Sequence, residues 1–118
     1  GWAQWSPDGR WISYPMVNGL TLVDPETHST RLMAGTVGLR WHVWSPDGGV
    51  IYGMRELDDQ RIQMLAIPVA GGLPRPIAWA DHPLMQQARY GLALHRNRLY
   101  FALVERSADV WVGDIVER

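Results

Sequence analysis

The chain has 118 residues, of which 47% are hydrophobic, and its eleven basic and twelve acidic residues leave a formal net charge of -1. This balance favours neither nucleic acid nor an anionic membrane surface as a partner, and no apolar run reaches the roughly eighteen residues that a span requires, so we expect no membrane insertion. The chain has no cysteine and no lysine, which excludes disulfides, thiolate catalysis and a lysine Schiff base within it.

An octapeptide occurs twice along the chain. Residues 2–9 read Trp-Ala-Gln-Trp-Ser-Pro-Asp-Gly, and residues 41–48, which begin 39 positions later, read Trp-His-Val-Trp-Ser-Pro-Asp-Gly. Proline presets the second turn position, aspartate suits the third, and glycine takes the fourth, so each copy predicts a hairpin corner. A third copy, at residues 90–97, keeps the corner with asparagine, which tolerates left-handed geometry, in the glycine position. The predicted corner residues are Pro7, Asp8, Gly9, Pro46, Asp47, Gly48 and Asn97.

Alternating apolar and polar residues between the corners predict eleven short strands. A period near forty residues, with four short strands in each unit, is typical of a propeller blade. The predicted strands are residues 2–5, 10–14, 19–24, 30–34, 39–44, 49–54, 61–67, 75–79, 89–94, 98–103 and 109–115.

Trp-Ser-Pro-Asp-Gly followed by an aromatic or β-branched strand resembles the WD-like repeat of TolB-type β-propellers. Residues 22–27 and 66–72 resemble the outer hairpin of such a blade, and residues 108–114 resemble the final strand of such proteins. The resemblance implies an all-β fold. We expect residues 1–118 to form one partial propeller of about three four-stranded antiparallel blades, the last lacking its fourth strand. The blades would cover about 1–36, 37–80 and 88–118, as the carboxy-terminal part of a larger ring. The resemblance alone favours a periplasmic or other extracytoplasmic location.

The predicted function is non-catalytic binding or scaffolding within a larger bacterial protein. The alternative is a regulatory propeller attached to an enzyme, such as a serine/threonine kinase or a prolyl-oligopeptidase-like hydrolase. No catalytic residue is predicted, because the sequence has no Gly-x-Ser-x-Gly elbow and because Ser6 and Ser45 belong to corners. No cofactor and no metal are predicted either: the four histidines lack zinc-site spacing, and Asp58 and Asp59 lack the glycine-containing loop of a calcium site.

Propellers bind ligands at one mouth of the central channel, and this location yields the candidate site. An arginine precedes an aromatic residue at Arg40-Trp41 and at Arg89-Tyr90, a pairing that can grip a carboxylate or phosphate and stack on a planar group. Alternatively, the aromatic residues pack between blades and the arginines lie beside them. Candidates from strand entries are Trp2, Arg40, Trp41, Arg89 and Tyr90, and those from loops are Asn18, Glu56, Asp58, Asp59, Glu105 and Arg106.

Two further features predict a protein partner. Leu84 and Met85, in the connection between the second and third blades, are apolar where periodicity does not bury them; they would contact a partner or cover the rim of the ring. An open stack of blades would also leave its two outer sheet faces exposed to solvent. We therefore expect these faces to pack against the remainder of the propeller or a second copy of the chain. The residues expected to be partly exposed there are Trp11, Tyr14, Leu99 and Phe101.

Overall fold

The computed structural model describes the backbone of residues 3–57, 61–81, 89–95, 98–104 and 108–114, and the side chains as far as residue 77. All eleven predicted strands are present, with bounds that differ from the predicted ones by a few residues. They are β1 (Gln4–Trp5), β2 (Ile12–Met16), β3 (Gly19–Val23), β4 (Thr30–Leu32), β5 (Leu39–Trp44), β6 (Val50–Glu56), β7 (Arg61–Pro68), β8 (Arg75–Asp81), β9 (Arg89–His95), β10 (Arg98–Val104) and β11 (Ala108–Asp114).

The strands form three antiparallel sheets that follow one another along the chain. The first has the order β1-β2-β3-β4, the second β5-β6-β7-β8, and the third contains β9, β10 and β11 with β10 in the middle. Strand β5 contacts both β2 of the first sheet and β9 of the third. Consecutive sheets are therefore neighbours in space, as the repeat predicts. In the described part of the chain, no helix is both long enough and apolar enough to cross a membrane.

The two Ser-Pro-Asp-Gly corners have the same geometry. In the first, Ser6 Oγ donates to Asp8 Oδ1 (2.7 Å) and accepts from the Trp11 amide (2.9 Å), while the Gly9 amide donates to the Ser6 carbonyl (2.9 Å). The second corner repeats these three bonds at 2.8, 3.1 and 2.9 Å, with Ser45, Asp47, Val50 and Gly48. Its glycine has a φ of 73°, against 70° in the first corner. This left-handed backbone explains the glycine of the motif.

A hydrophobic core lies between the first two sheets. Leu20 and Leu22 of β3 are fully buried there, and Ile51 and Ile67 of the second sheet are fully buried on the facing side. Register explains the alternation, because every second residue of a strand points to the same face. The remaining members of this core are Met33, Leu39, Trp44 and Leu65, with Trp11 and Val69 packed against it.

The first and second sheets differ in how many faces they bury. The second sheet also buries its other face, which carries Tyr52, Met54, Ile62, Met64 and Ala66. The first sheet buries only the side toward the second. Its opposite side, here called the open face, consists of the two register rows Trp5-Ile12-Val23-Thr30 and Tyr14-Thr21-Leu32.

The predicted solvent-exposed outer face is therefore confirmed for the first sheet, but the assignment of Trp11 to that face was wrong. Trp11 packs against the inter-sheet core, because it shares the alternation of Ser13 rather than that of Tyr14. The largest exposed aromatic side chain on the open face is that of Trp5, which is 60% exposed. The side chains of Leu99 and Phe101 lie outside the described ones.

Gly19 begins β3 with a φ of 133°, and a Cβ on it would lie 2.7 Å from Thr36 Oγ1. That hydroxyl is committed, since it accepts from the Leu20 amide (2.8 Å) and donates to the Met33 carbonyl (2.6 Å). We expect Gly19→Ala to lower the free energy of unfolding by about 2–4 kcal/mol, from backbone strain plus collision.

Gly71→Ala is the matched control, because Gly71 has a φ of 129° but open space around the Cβ position. We expect a loss of about 1 kcal/mol there, from backbone strain alone. Urea unfolding of both variants measures the difference. Equal losses would show that the Thr36 contact contributes nothing.

Candidate functional site

The start of β5 brings two of the predicted site residues together. The β5–β6 register shifts between Leu39 and Trp41, which leaves Arg40 without an opposing residue in the ladder. Arg40 Nη2 lies 3.6 Å from Glu56 Oε2, and its side chain is the more exposed of the two. Trp41 is half-buried and pairs across the ladder with Met54. An ion pair this exposed stabilises little, about 0–1 kcal/mol, but it does neutralise the arginine that was predicted to grip an anion.

Arg55, which the sequence analysis did not single out, lies at the same end of the second sheet. Its Nε donates to Gln63 Oε1 (2.8 Å), and its Nη1 donates to the carbonyls of Gly35 (3.1 Å) and Val37 (3.4 Å). These bonds tie the connection between the first two sheets to β6. The guanidinium therefore serves the fold, which favours the packing interpretation of the arginines at this end.

Several predicted site residues are not tested by these contacts. Arg89 and Tyr90 begin β9, where their backbones pair with Val104 and Leu103, but their side chains are not among those described. Asn18 is exposed in the turn between β2 and β3. The predicted residues outside the described ones are Trp2, Asp58, Asp59, Leu84, Met85, Asn97, Glu105 and Arg106. Among the described residues, no three His, Cys, Asp or Glu side chains are grouped as a metal site requires.

A buried polar group that the sequence analysis did not predict joins the first two sheets. Ser13 Oγ lies 2.6 Å from His42 Nε2 and accepts from Trp44 Nε1 at 2.8 Å. It is also within 3.3 Å of the Gln4 carbonyl, and the Gln4 side-chain amide donates to the His42 carbonyl. Ser13, His42 and Trp44 are all buried. Here they are called the Ser-His-Trp group.

The hydrogen bonds of the Ser-His-Trp group favour one tautomer of His42. If His42 Nε2 carries the hydrogen, Ser13 Oγ accepts from both His42 and Trp44 and donates to the Gln4 carbonyl, so that every donor has a partner. The atom left over is His42 Nδ1, which is buried and has no hydrogen-bond partner among the described residues. In this tautomer it is only a lone pair, which costs less to leave unpaired than an N–H would.

The same surroundings oppose a charge on His42. Burial lowers the pKa of His42 from its usual 6.5 to about 4, because a protonated ring would bring charge and a second N–H into a place that offers Nδ1 no acceptor. His42 is therefore neutral at pH 7.

A serine hydroxyl 2.6 Å from a histidine nitrogen has the spacing of a nucleophile and its base. Three observations argue against that role. Neither side chain is accessible to a substrate, Trp44 occupies a lone pair of the hydroxyl, and no carboxylate of the described residues orients His42 Nδ1. A histidine with a pKa of about 4 is also a weak base at neutral pH. The Ser-His-Trp group holds the sheets together.

Successive four-stranded antiparallel sheets, packed face to face and entered through the same corner, are the blade arrangement of a β-propeller. The chain is similar to a solved structure described as a TolB from Agrobacterium tumefaciens, with a TM-score of 0.70 and 18% identity, over 95% of this chain and 41% of that one. The chain therefore has the TolB-type propeller fold and spans less than half the length of the protein it matches. At this identity the likeness shows the fold alone. No protein-family profile and no curated protein sequence matches.

Proposed function

We propose that the chain is a three-blade segment of a TolB-like propeller and acts as a non-catalytic binding and scaffolding module. The third blade, with strands β9 to β11 described, would be the incomplete one. The open face of the first sheet would receive another blade, from the remainder of the ring or from a second copy. Among the described residues, Ser6 and Ser45 hydrogen-bond within the corners, and Ser13 and His42 hydrogen-bond to each other between the sheets. Because these side chains stabilise the fold, they support a non-catalytic role.

The observation that carries this proposal is the contrast between two equivalent tryptophans. Trp5 and Trp44 occupy the same position in the octapeptide. Trp44 is 7% exposed, because it packs against the first sheet and donates to Ser13, whereas Trp5 is 60% exposed. In the second sheet, Trp44 fills the interface with the preceding blade. The repeat places the equivalent side chain, Trp5, on the open face of the first sheet. Leu32, 49% exposed, extends the same surface.

Association of the isolated chain tests the proposal. We expect the 118-residue chain to form dimers or larger assemblies, because an apolar sheet face of this kind favours burial. Trp5→Asp combined with Leu32→Asp should shift the population to monomer in sedimentation velocity. Val17→Asp combined with Leu73→Asp is the matched control, since these side chains are 97% and 75% exposed but lie in the connections between strands, outside the open face.

The control pair should associate like the unmodified chain. A monodisperse, cooperatively unfolding monomer of the unmodified chain would overturn the proposal. Equal association of the two variant pairs would also count against the open face as the contact surface.

A further inference from the structure

A groove lies between the first two sheets, at the end that carries the Ser-Pro-Asp-Gly corners. Its volume is about 350 Å³, and it is lined on one side by Asp8, Arg10 and Trp11 and on the other by Gly48, Gly49 and Val69. Arg31 of β4 also lines it. The predicted site residues of β5 lie at the opposite end of that strand. The groove is thus a separate location, here called the corner groove.

Two guanidinium groups lie near one indole ring in the corner groove. The Cζ atoms of Arg10 and Arg31 lie 5.6 Å and 5.4 Å from the centroid of the Trp11 ring. The ring is held in place because it packs against the inter-sheet core. Arg31 is held as well, since its Nη2 donates to the carbonyl of Val69, which directly follows β7 of the second sheet. Both arginines are exposed, so their remaining donors are accessible.

The charges of the corner groove do not cancel. Among the described residues, neither arginine has a carboxylate within ion-pair distance. Asp8 lines the groove, but its Oδ1 accepts from Ser6 Oγ and from the Arg10 amide, and these bonds keep its pKa below the usual value. Among the residues that line the groove, two guanidinium groups and one ionised carboxylate leave one positive charge in excess. Asp24 lies outside this lining; its pKa is lowered mainly by the Glu26 and Thr27 amides and to a smaller extent by the Arg10 guanidinium.

We propose that the corner groove binds one carboxylate of a partner peptide, with the guanidinium groups of Arg10 and Arg31 on the carboxylate and an adjoining apolar side chain on Trp11. Guanidinium groups match the planar carboxylate through paired N–H donors. The single excess positive charge suits a monoanion better than a doubly charged phosphate. The volume accommodates about one or two residues.

The probe is an acetylated and amidated Leu-Glu dipeptide, with the Leu-Gln dipeptide and inorganic phosphate as comparison ligands. Binding is followed in the full chain by the NMR shift of the Trp11 indole N–H, which the variant Trp11→Phe identifies. We expect the Glu peptide to bind at least about tenfold more tightly than the Gln peptide. Arg10→Gln and Arg31→Gln should each weaken the Glu peptide by a similar factor.

Arg40→Gln is the matched control, because Arg40 is an exposed arginine at the other end of β5, and this variant should bind like the unmodified chain. In the ligand-free variants, an unchanged Trp44 indole signal shows that the inter-sheet core is intact. Equal binding of the Glu and Gln peptides, tighter binding of phosphate than of the Glu peptide, or undiminished binding by both groove variants would overturn the proposal. The open face takes no part in this measurement. A failure of the peptide to bind would therefore leave the proposed association through the open face unaffected.

Discussion

We expect the free energy of unfolding of the chain to fall by about 2 kcal/mol between pH 7 and about pH 4.5, because of His42 alone. Above its unfolded pKa of 6.5, His42 is neutral in both states. Below 6.5 the unfolded chain takes up a proton that the folded chain, with a pKa of about 4, does not, so stability is lost as the pH falls toward 4. Each unit of pKa difference corresponds to about 1.4 kcal/mol.

Urea unfolding at both pH values, at one fixed chain concentration because association would otherwise contribute, measures this dependence. His42→Gln should flatten it, since glutamine keeps a donor for Ser13 but has no proton to gain. His28→Asn is the matched control: His28 is an exposed histidine with a φ of 64°, which asparagine tolerates, and its removal should leave the dependence unchanged.

The lower pH limit keeps the corner carboxylates out of the measurement. The amide of Gly49 and the hydroxyl of Ser45 hold the pKa of Asp47 below 3.8. In the first corner, the hydroxyl of Ser6 and the amide of Arg10 lower the pKa of Asp8 in the same way. The stability that these bonds contribute is lost only as the pH falls below 3.8. If His42→Gln retained the full dependence above pH 4.5, or if the ring of His42 titrated by NMR near 6.5, the assigned burial would be wrong.

Features that depend on local chain geometry could be predicted from the sequence. A corner needs its proline, aspartate and glycine within four residues, so Ser-Pro-Asp-Gly identified both copies and the strands that flank them. The equivalence of Trp5 and Trp44 could also be read from the repeat. Their different exposure could not, because it depends on which sheet faces each of them.

Contacts between sheets were beyond the sequence pattern. Ser13 and His42 are 29 residues apart and meet only because β2 and β5 pack together, and nothing in either strand marks them as partners. The pairing of Arg40 with Glu56 depends on a register shift that alternation does not show. The sequence does contain one sign of the corner groove, because Arg10-Trp11 is the same dipeptide as Arg40-Trp41. The expected ligand position at the channel mouth favours only Arg40-Trp41, which lies at the other end of the strands.

The second large effect concerns whether the first two sheets unfold together. Leu22 is fully buried in the core that both sheets share, and its truncation in Leu22→Ala should cost about 3 kcal/mol, from lost apolar contact and a residual cavity. Because Ile51 and Ile67 pack in the same core from the second sheet, we expect the loss to extend to β6 and β7. Amide hydrogen exchange reports the opening free energy strand by strand.

In a chain of weakly coupled repeats, a substitution that destabilises one unit leaves the amide protection of its neighbour intact. Where two units share a core, the substitution lowers the protection of both. The Ser-His-Trp group adds to the coupling, since Trp44 and His42 of β5 would lose Ser13 whenever the first sheet opened. Leu22→Ala should therefore lower amide protection in β6 and β7 by nearly as much as in β3, while Val17→Ala, at a 97% exposed turn position, changes neither. Normal protection of β6 and β7 in Leu22→Ala would mean that the second sheet is stable without the first.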